Sequence, residues 1–405
     1  MPRVGWKKPV SDRRLSDLVS VGVLARTFPA GLVDEVIAGC GRTEQRSRSL
    51  PARTMAYFAI GMALHSEGSY EDVLALMTDG LAWAGPEVEV EPPRRPGKSA
   101  IFQARDRLGP EPLRMLFARV ARPLATESTA GAWLAGRRLV AVDGCCVDVA
   151  DSVVNDVFFG RPGVNKGERS AFPQARIVAL AECSSHAIVD AEVGPYTTGE
   201  NTLARDLLAR LGPGMVVLAD RGFCGFPLWA LASGTGADLL WRASTVMKPR
   251  HIETLADGSW LAEFKASGNK GRNTDPVTIR VIDYRIDDGR GPSEPFRLFT
   301  TLLDPVEAPA EDLAYAYGQR WEIESVFDEL KTHQRGARTV LRSKSPALVE
   351  QEIWGHLCCH YAIRTLMFEA AIHADVDPDR VSFVTALRIA RRTLSQARGF
   401  SPSGP

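Results

Sequence analysis

Apolar positions between residues 11 and 125 recur at steps of three and four, the periodicity of helices that pack by one face. "SDLVSVGVLARTF", "AGLVDEVIAGCG", "PARTMAYFAIGMALHS" and "SYEDVLALMTDGL" each predict a helix, the third with Pro51 suited to a first helical position and the fourth opening on a serine cap. The charged, proline-rich "GPEVEVEPPRRPGKS" reads as a linker or exposed loop before a further helical pair, "SAIFQARDRL" and "EPLRMLFARVARPLA". Near residue 137 the texture changes to short apolar runs ended by Asp or Gly: "RRLVAVDG", "ARIVALAEC", "HAIVDAEVG", "GMVVLADRG" and "ADLLWRAS". These predict strands. A helix, "GENTLARDLLARLG", falls between the third and fourth, and "FPLWALASG" follows the fourth, so the fold class is α/β with antiparallel and parallel strands in one sheet. Residues 245–305 are β-rich, with an Asp-Gly turn at Asp257-Gly258, and look like an insertion into the sheet unit. Helix then returns from Pro309 to near Gln396, ahead of a frayed tail. The expected organisation is a helical region over 1–130, a sheet unit over 131–244, the insertion over 245–305, the rest of the sheet unit with terminal helices over 306–398, and a tail over 399–405.

A chain of 405 residues with 45% apolar content can bury a sizeable core. No run of about 18 uncharged apolar residues exists to span a bilayer, and "MPRVGWKKPVSD" lacks the apolar stretch of a signal peptide, so no membrane partner and a cytoplasmic location are expected. The seven cysteines show no CxxC, which indicates reduced thiols rather than a disulfide framework or zinc ribbon. Net charge is zero but unevenly spread. Arg94 to Arg122 holds eight basic residues against Asp106 and Glu111, and Lys331 to Lys344 holds five with no acid, as expected if only some faces meet phosphate.

Chemistry concentrates in "YAYGQRWEIESVFDELKTHQRG", Tyr315 to Gly336. On a wheel at about 100° per residue with Arg320 as zero, Glu324 falls at about 40°, Lys331 at about 20° and Tyr317 at about 60°. The four share one stripe beside the apolar set Ile323, Val326, Phe327 and Leu330, while Glu322, Ser325 and Glu329 are placed on the solvent side. Asp143 ends the run "LVAVDG" and Asp220 ends "VVLADRG", each an apolar strand delivering one carboxylate at its C-terminal end, where α/β sheets keep their crevice. Two Asp and one Glu suit a pair of Mg²⁺ ions, with Mn²⁺ as a substitute, for in-line displacement at phosphorus by water or a 3′-hydroxyl. Arg320 and Lys331 would then contact phosphate on either side of Glu324, and Tyr317 would stack on or hydrogen-bond to a DNA end. Asp148, Asp151 and Asp190 end no apolar run in this way and read as turn or surface carboxylates.

Strand-Asp, strand-Asp, and a helix reading Tyr317, Arg320, Glu324, Lys331 resembles the DDE transposases of the insertion-sequence-four type. "LPARTMAYFAIGMALHSEGSYEDVL" and "EIWGHLCCHYAIR" extend the similarity to most of the chain. The resemblance implies an RNase H-like catalytic core interrupted by a β-rich insertion, and cut-and-paste movement of a DNA element. It assigns the catalytic and metal-binding triad to Asp143, Asp220 and Glu324, and DNA-contacting roles to Tyr317, Arg320 and Lys331. The implied partners are terminal inverted repeats, target DNA and a second copy of the chain in the end-bound complex. Cys145 stands where many relatives carry a hydroxyl residue. Trp260, Phe296 and Phe299 are candidates to hold a flipped base, against a plainer reading as sheet core. Lys98, Arg105, Arg107 and Arg114, on two short helices joined at "GPEP", are the expected groove or phosphate contacts for the element ends. His356 and His360 read as packed helix rather than a zinc site, and Cys224 lacks a paired His. Two other readings compete: an RNase H-like nuclease that cuts without joining, and a catalytically silent DNA-binding repressor.

Overall fold

The structure, a computed structural model, describes residues 22–46, 48–84, 96–163, 169–266, 275–285, 295–336 and 339–391. The expected helix start at 11–21, the proline-rich stretch 85–95 and the tail lie outside the described residues.

At the centre are β2 (Arg137–Asp148), β3 (Gln174–Glu182), β4 (Ile188–Pro195), β5 (Met215–Ala219) and β6 (Asp238–Ala243), in the order β4-β3-β2-β5-β6. The β2–β3 and β3–β4 pairs are antiparallel, whereas β5 and β6 join parallel to β2. This is the mixed arrangement of an RNase H-like core. Leu139, Ala141, Val216, Leu218 and Leu240 face one side of the sheet, and Val140, Val142, Val217, Ala219, Leu239 and Trp241 the other. Burial of both faces is why these strands read as unbroken apolar runs instead of alternating ones. On the second side lie α7 (Glu200–Leu208) and α8 (Phe226–Ser233), with Trp229 edge-on to Trp241 at 5.3 Å.

The β-rich insertion continues this sheet. β10 (Pro295–Thr300) pairs antiparallel with β6, and β9 (Val277–Arg285), β8 (Trp260–Phe264) and β7 (Arg250–Thr254) follow outward. Gly258 turns the β7–β8 connection at φ +82°, a conformation that suits glycine. Beside it the fully buried Arg280 donates to Ser259 Oγ at 2.7 Å and to the Ala308 carbonyl at 2.6 Å, and it pairs with Asp257. Asp257 also accepts from the Ala310 N–H at 3.0 Å. The insertion thereby anchors the first turn of α9 (Ala310–Gly318), the start of the segment carrying Arg320 and Glu324.

That segment is not one regular helix. A 3₁₀ turn over Gln319–Trp321 follows α9, then α10 (Glu322–Asp328), then a π-helical turn over Glu329–Gln334. A uniform wheel therefore misplaces some side chains, and the solvent-side expectation for Glu322 and Glu329 is corrected. Glu322 accepts from the Ser184 N–H, and Glu329 is only 8% exposed, paired with Arg364 and His360. Both partners come from the 29-residue α11 (Pro346–Ala374), which covers the face the wheel leaves to solvent.

Among the N-terminal helices, α1 (Ala30–Gly39), α2 (Ala52–Leu64), α3 (Tyr70–Ala84), α4 (Lys98–Leu108) and α5 (Glu111–Val120), α2 is buried along almost its whole length. It lies against α11, where a Cβ at Gly355 would come within 2.6 Å of the Ala59 carbonyl. The missing side chain lets the two backbones touch.

Candidate active site

Parallel pairing aligns Val142 of β2 with Ala219 of β5, so the next residues along the two strands are Asp143 and Asp220. The strands are neighbours, as the crevice requires. One expectation is corrected: Asp143 is in mid-strand, because β2 continues to Asp148 against β3 with Asp143 opposite Ala179. The crevice opens there because β5 stops at Ala219.

The α9–α10 segment lies over this point. Tyr317 is 2% exposed, and its hydroxyl donates to the Ala219 carbonyl at 3.4 Å, tying the segment to the last residue before Asp220. Arg320 is 4% exposed, stacks over Trp321, and lies 3.6 Å from Asp143 Oδ2 and 3.1 Å from Glu324 Oε1. Direct DNA contact by Tyr317 does not fit this burial; it is a brace inside the protein. The Arg320 guanidinium is equally enclosed, and its reach is to the carboxylates. Its Nε, however, has no hydrogen-bond partner. Lys331, in the π turn, is partly exposed and acts electrostatically on Cys145 and Cys146 of β2.

Burial pushes the Asp143 carboxyl up to about 6, against the Gly144 N–H it accepts at 2.8 Å and the Arg320 charge. Asp220 and a residue the sequence reading missed, Glu200, add to the upward push. Glu200 opens α7, and only the β2–β3–β4 topology brings that helix start to Asp143. Read along the chain, it is one more acid at a helix start.

Glu324 is half exposed and turned toward Arg320. In this conformation no three His, Cys, Asp or Glu side chains among the described residues are close enough to hold one metal ion. His356 and His360 are accordingly buried packing residues, and burial pushes the Cys224 thiol up to about 12.

In the N-terminal region Arg105 is corrected from DNA contact to structural hub. It is 1% exposed and donates to Gln351 Oε1 at 2.9 Å, Ser343 Oγ at 3.0 Å and the Leu348 carbonyl at 3.2 Å. Arg114 pairs with Glu111, whereas Lys98 and Arg107 are exposed. Arg107 lines a cleft of about 310 Å³ with Arg42, Gln45 and Arg48, residues outside the basic run singled out from sequence. In the insertion Phe299 is fully buried core. Phe296 stacks on Tyr284 under Arg242, and Trp260 stacks on His251.

Residues 134–362, more than half of the chain, match the family model described as the transposase DDE domain. The chain belongs to the DDE transposase family. The matched span runs from β1 (Trp133–Leu134) into α11, taking in the insertion strands. Residues 18–118 match the N-terminal model of insertion element 4 transposases. Among curated proteins, the transposase InsG for insertion sequence element IS4 of Escherichia coli (strain K12) is 29% identical over 377 residues, covering 92% of this chain and 82% of the relative. A cryo-EM structure of the piggyBac transposase synaptic complex with hairpin DNA aligns at a TM-score of 0.46 and 10% identity, over 93% of this chain and 80% of that one. DDE transposase domains generally use divalent metal ions. The donors here fit such ions, since Asp143, Asp220 and Glu324 offer hard carboxylate oxygens. No helix of the described residues is long and apolar enough to cross a membrane.

Proposed function

We propose that this chain is a metal-dependent transposase that cuts DNA at the ends of its element and joins those ends to target DNA. Asp143, Asp220 and Glu324 would hold two Mg²⁺ ions, or Mn²⁺ in their place. The observation that carries the reading is the β2–β5 register that sets Asp143 beside Asp220, under the segment bearing Arg320 and Glu324, in a chain of the DDE family.

Bound divalent ions supply the positive charge that stabilises the attacking and leaving oxygens of an in-line displacement at phosphorus. The protein's own groups do the positioning. Tyr317 fixes the segment to the end of β5. Arg320 neutralises Asp143 and Glu324 until ligand enters, and the terminal N–H that Glu324 would release then has a phosphate oxygen to donate to. Lys331, half-exposed over β2, adds a mobile cation for the DNA backbone. Ligand binding would draw Glu324 off Arg320 and toward the two aspartates. Joining two ends requires two such sites, so the end-bound complex would be a homodimer carrying inverted repeats and target DNA.

Asp143→Asn, Asp220→Asn and Glu324→Gln should each abolish Mg²⁺-dependent cleavage of end-containing DNA while leaving DNA binding within a few-fold. Full cleavage by any one of them would sink the assignment. Supplied with pre-cut ends and a target plasmid, the wild-type protein should yield insertions; efficient cutting without insertion would favour a nuclease.

A further inference from the structure

Glu200 is the first residue of α7, and Asn201 beside it donates to the Gly222 carbonyl in the loop that follows Asp220. The helix start therefore abuts both acidic positions. A Cβ built on Gly144 would meet Glu200 Oε1 at 1.8 Å, Cδ at 2.8 Å and Cγ at 3.1 Å. The Glu200 carboxylate thus occupies the space over the backbone next to Asp143 that any side chain at 144 would fill. Since Gly144 does not need a positive φ, closeness to Glu200 is the reason for glycine there. The Arg176 charge acts on this half-buried carboxylate, but among the described residues no hydrogen bond or ion pair holds it. On the Asp143 side Arg320, 4% exposed, points its guanidinium at Asp143 and keeps its Nε unpartnered. A carboxylate with no hydrogen bond of its own, beside an aspartate held by a buried guanidinium that keeps one N–H spare, is the furnishing of a cation-and-phosphate pair.

We propose that Glu200 is a fourth carboxylate of the divalent-ion site, with Gly144 as the vacancy that admits it. The inference rests on the reading of Asp143 and Asp220 as metal ligands. A plainer role, an acid favouring the helix dipole, would stabilise α7 by about 0.3–1 kcal/mol and leave metal affinity alone.

The test is Mn²⁺ binding to the full-length protein without DNA, read by the electron paramagnetic resonance of free Mn²⁺. Glu200→Gln should weaken binding about 10- to 100-fold, the range for a carboxylate supporting a metal site. Gly144→Ala, whose methyl displaces the carboxylate, should do the same, and Glu200→Ala with Gly144→Ala should bind no worse than Glu200→Ala alone. Asp143→Asn is the control. If it loses Mn²⁺ while Glu200→Gln keeps wild-type affinity, the role of Glu200 is overturned. If Asp143→Asn also keeps wild-type affinity, the underlying site assignment falls with it. Glu200→Gln is isosteric and decides the matter even if Gly144→Ala fails to fold.

Discussion

Replacing Glu329 by alanine probes the support under the Arg320–Glu324 segment. The Glu329 carboxylate accepts from Arg364 Nε at 2.9 Å and lies 3.0 Å from His360 Nε2, with Arg364 itself only 3% exposed. Removing one member of such a pair leaves a charge enclosed without its partner, which costs about 3–5 kcal/mol. Glu329→Gln, which keeps an acceptor but not the charge, should cost about 1.5–3 kcal/mol. Replacing Glu329 and Arg364 together by leucine and methionine should recover much of the alanine loss, because no orphaned charge remains. Acid sensitivity gives a second readout. Burial alone would raise the Glu329 carboxyl, but His186, His360 and Arg364 outweigh it and hold the group well below the carboxylate range. A depressed acid contributes its full stability above its unfolded pKa, about 4.3, and loses it as pH falls below that value. Wild-type protein should therefore weaken more steeply than Glu329→Gln between about pH 5 and pH 3. Urea unfolding followed by tryptophan fluorescence and circular dichroism measures both effects. An alanine variant that loses under about 1 kcal/mol, or parallel acid slopes, would refute the claim that this charge is a structural keystone.

Arg105→Ala should destabilise the fold by about 2 kcal/mol or more, by leaving buried Gln351 Oε1 without its donor and removing the link to Ser343. Molecules that remain folded should keep the wild-type salt dependence of DNA binding, and a flatter slope would restore Arg105 as a phosphate contact. Native alkylation followed by mass spectrometry should label Cys40 and Cys146, the two half-buried thiols, well before Cys145, Cys224, Cys358 and Cys359, where burial raises the thiol. Equal labelling of Cys224 and Cys40 would contradict the packing.

The two aspartates were legible because each closes a run whose neighbours are apolar on both faces, a pattern only central strands produce. That Asp143 lies in mid-strand was not, since its continuation depends on pairing to β3, more than 30 residues further along. Tyr317, Arg320 and Glu324 were read onto one stripe, and the structure does gather Tyr317 at Ala219 and Arg320 at both carboxylates. Glu322 and Glu329 were misread for two physical reasons: the 3₁₀ and π turns change the angular step, and the opposite face is covered by the β3–β4 connection at Glu322 and by α11 at Glu329. Arg105 illustrates the same blindness, for a charge on a short helix looks exposed until Ser343, Leu348 and Gln351 enclose it. Glu200 carried no local signal, because its meaning is a contact across the sheet with Gly144.

The bare meeting of Gly355 with the Ala59 carbonyl ties opposite halves of the polypeptide by their backbones. A gene copy interrupted between codons 324 and 346 would still encode Asp143, Asp220 and Glu324, but not the long helix on which the early helices close. Decay of such a copy would thus remove the folded scaffold along with the acidic crevice, leaving an inert remnant.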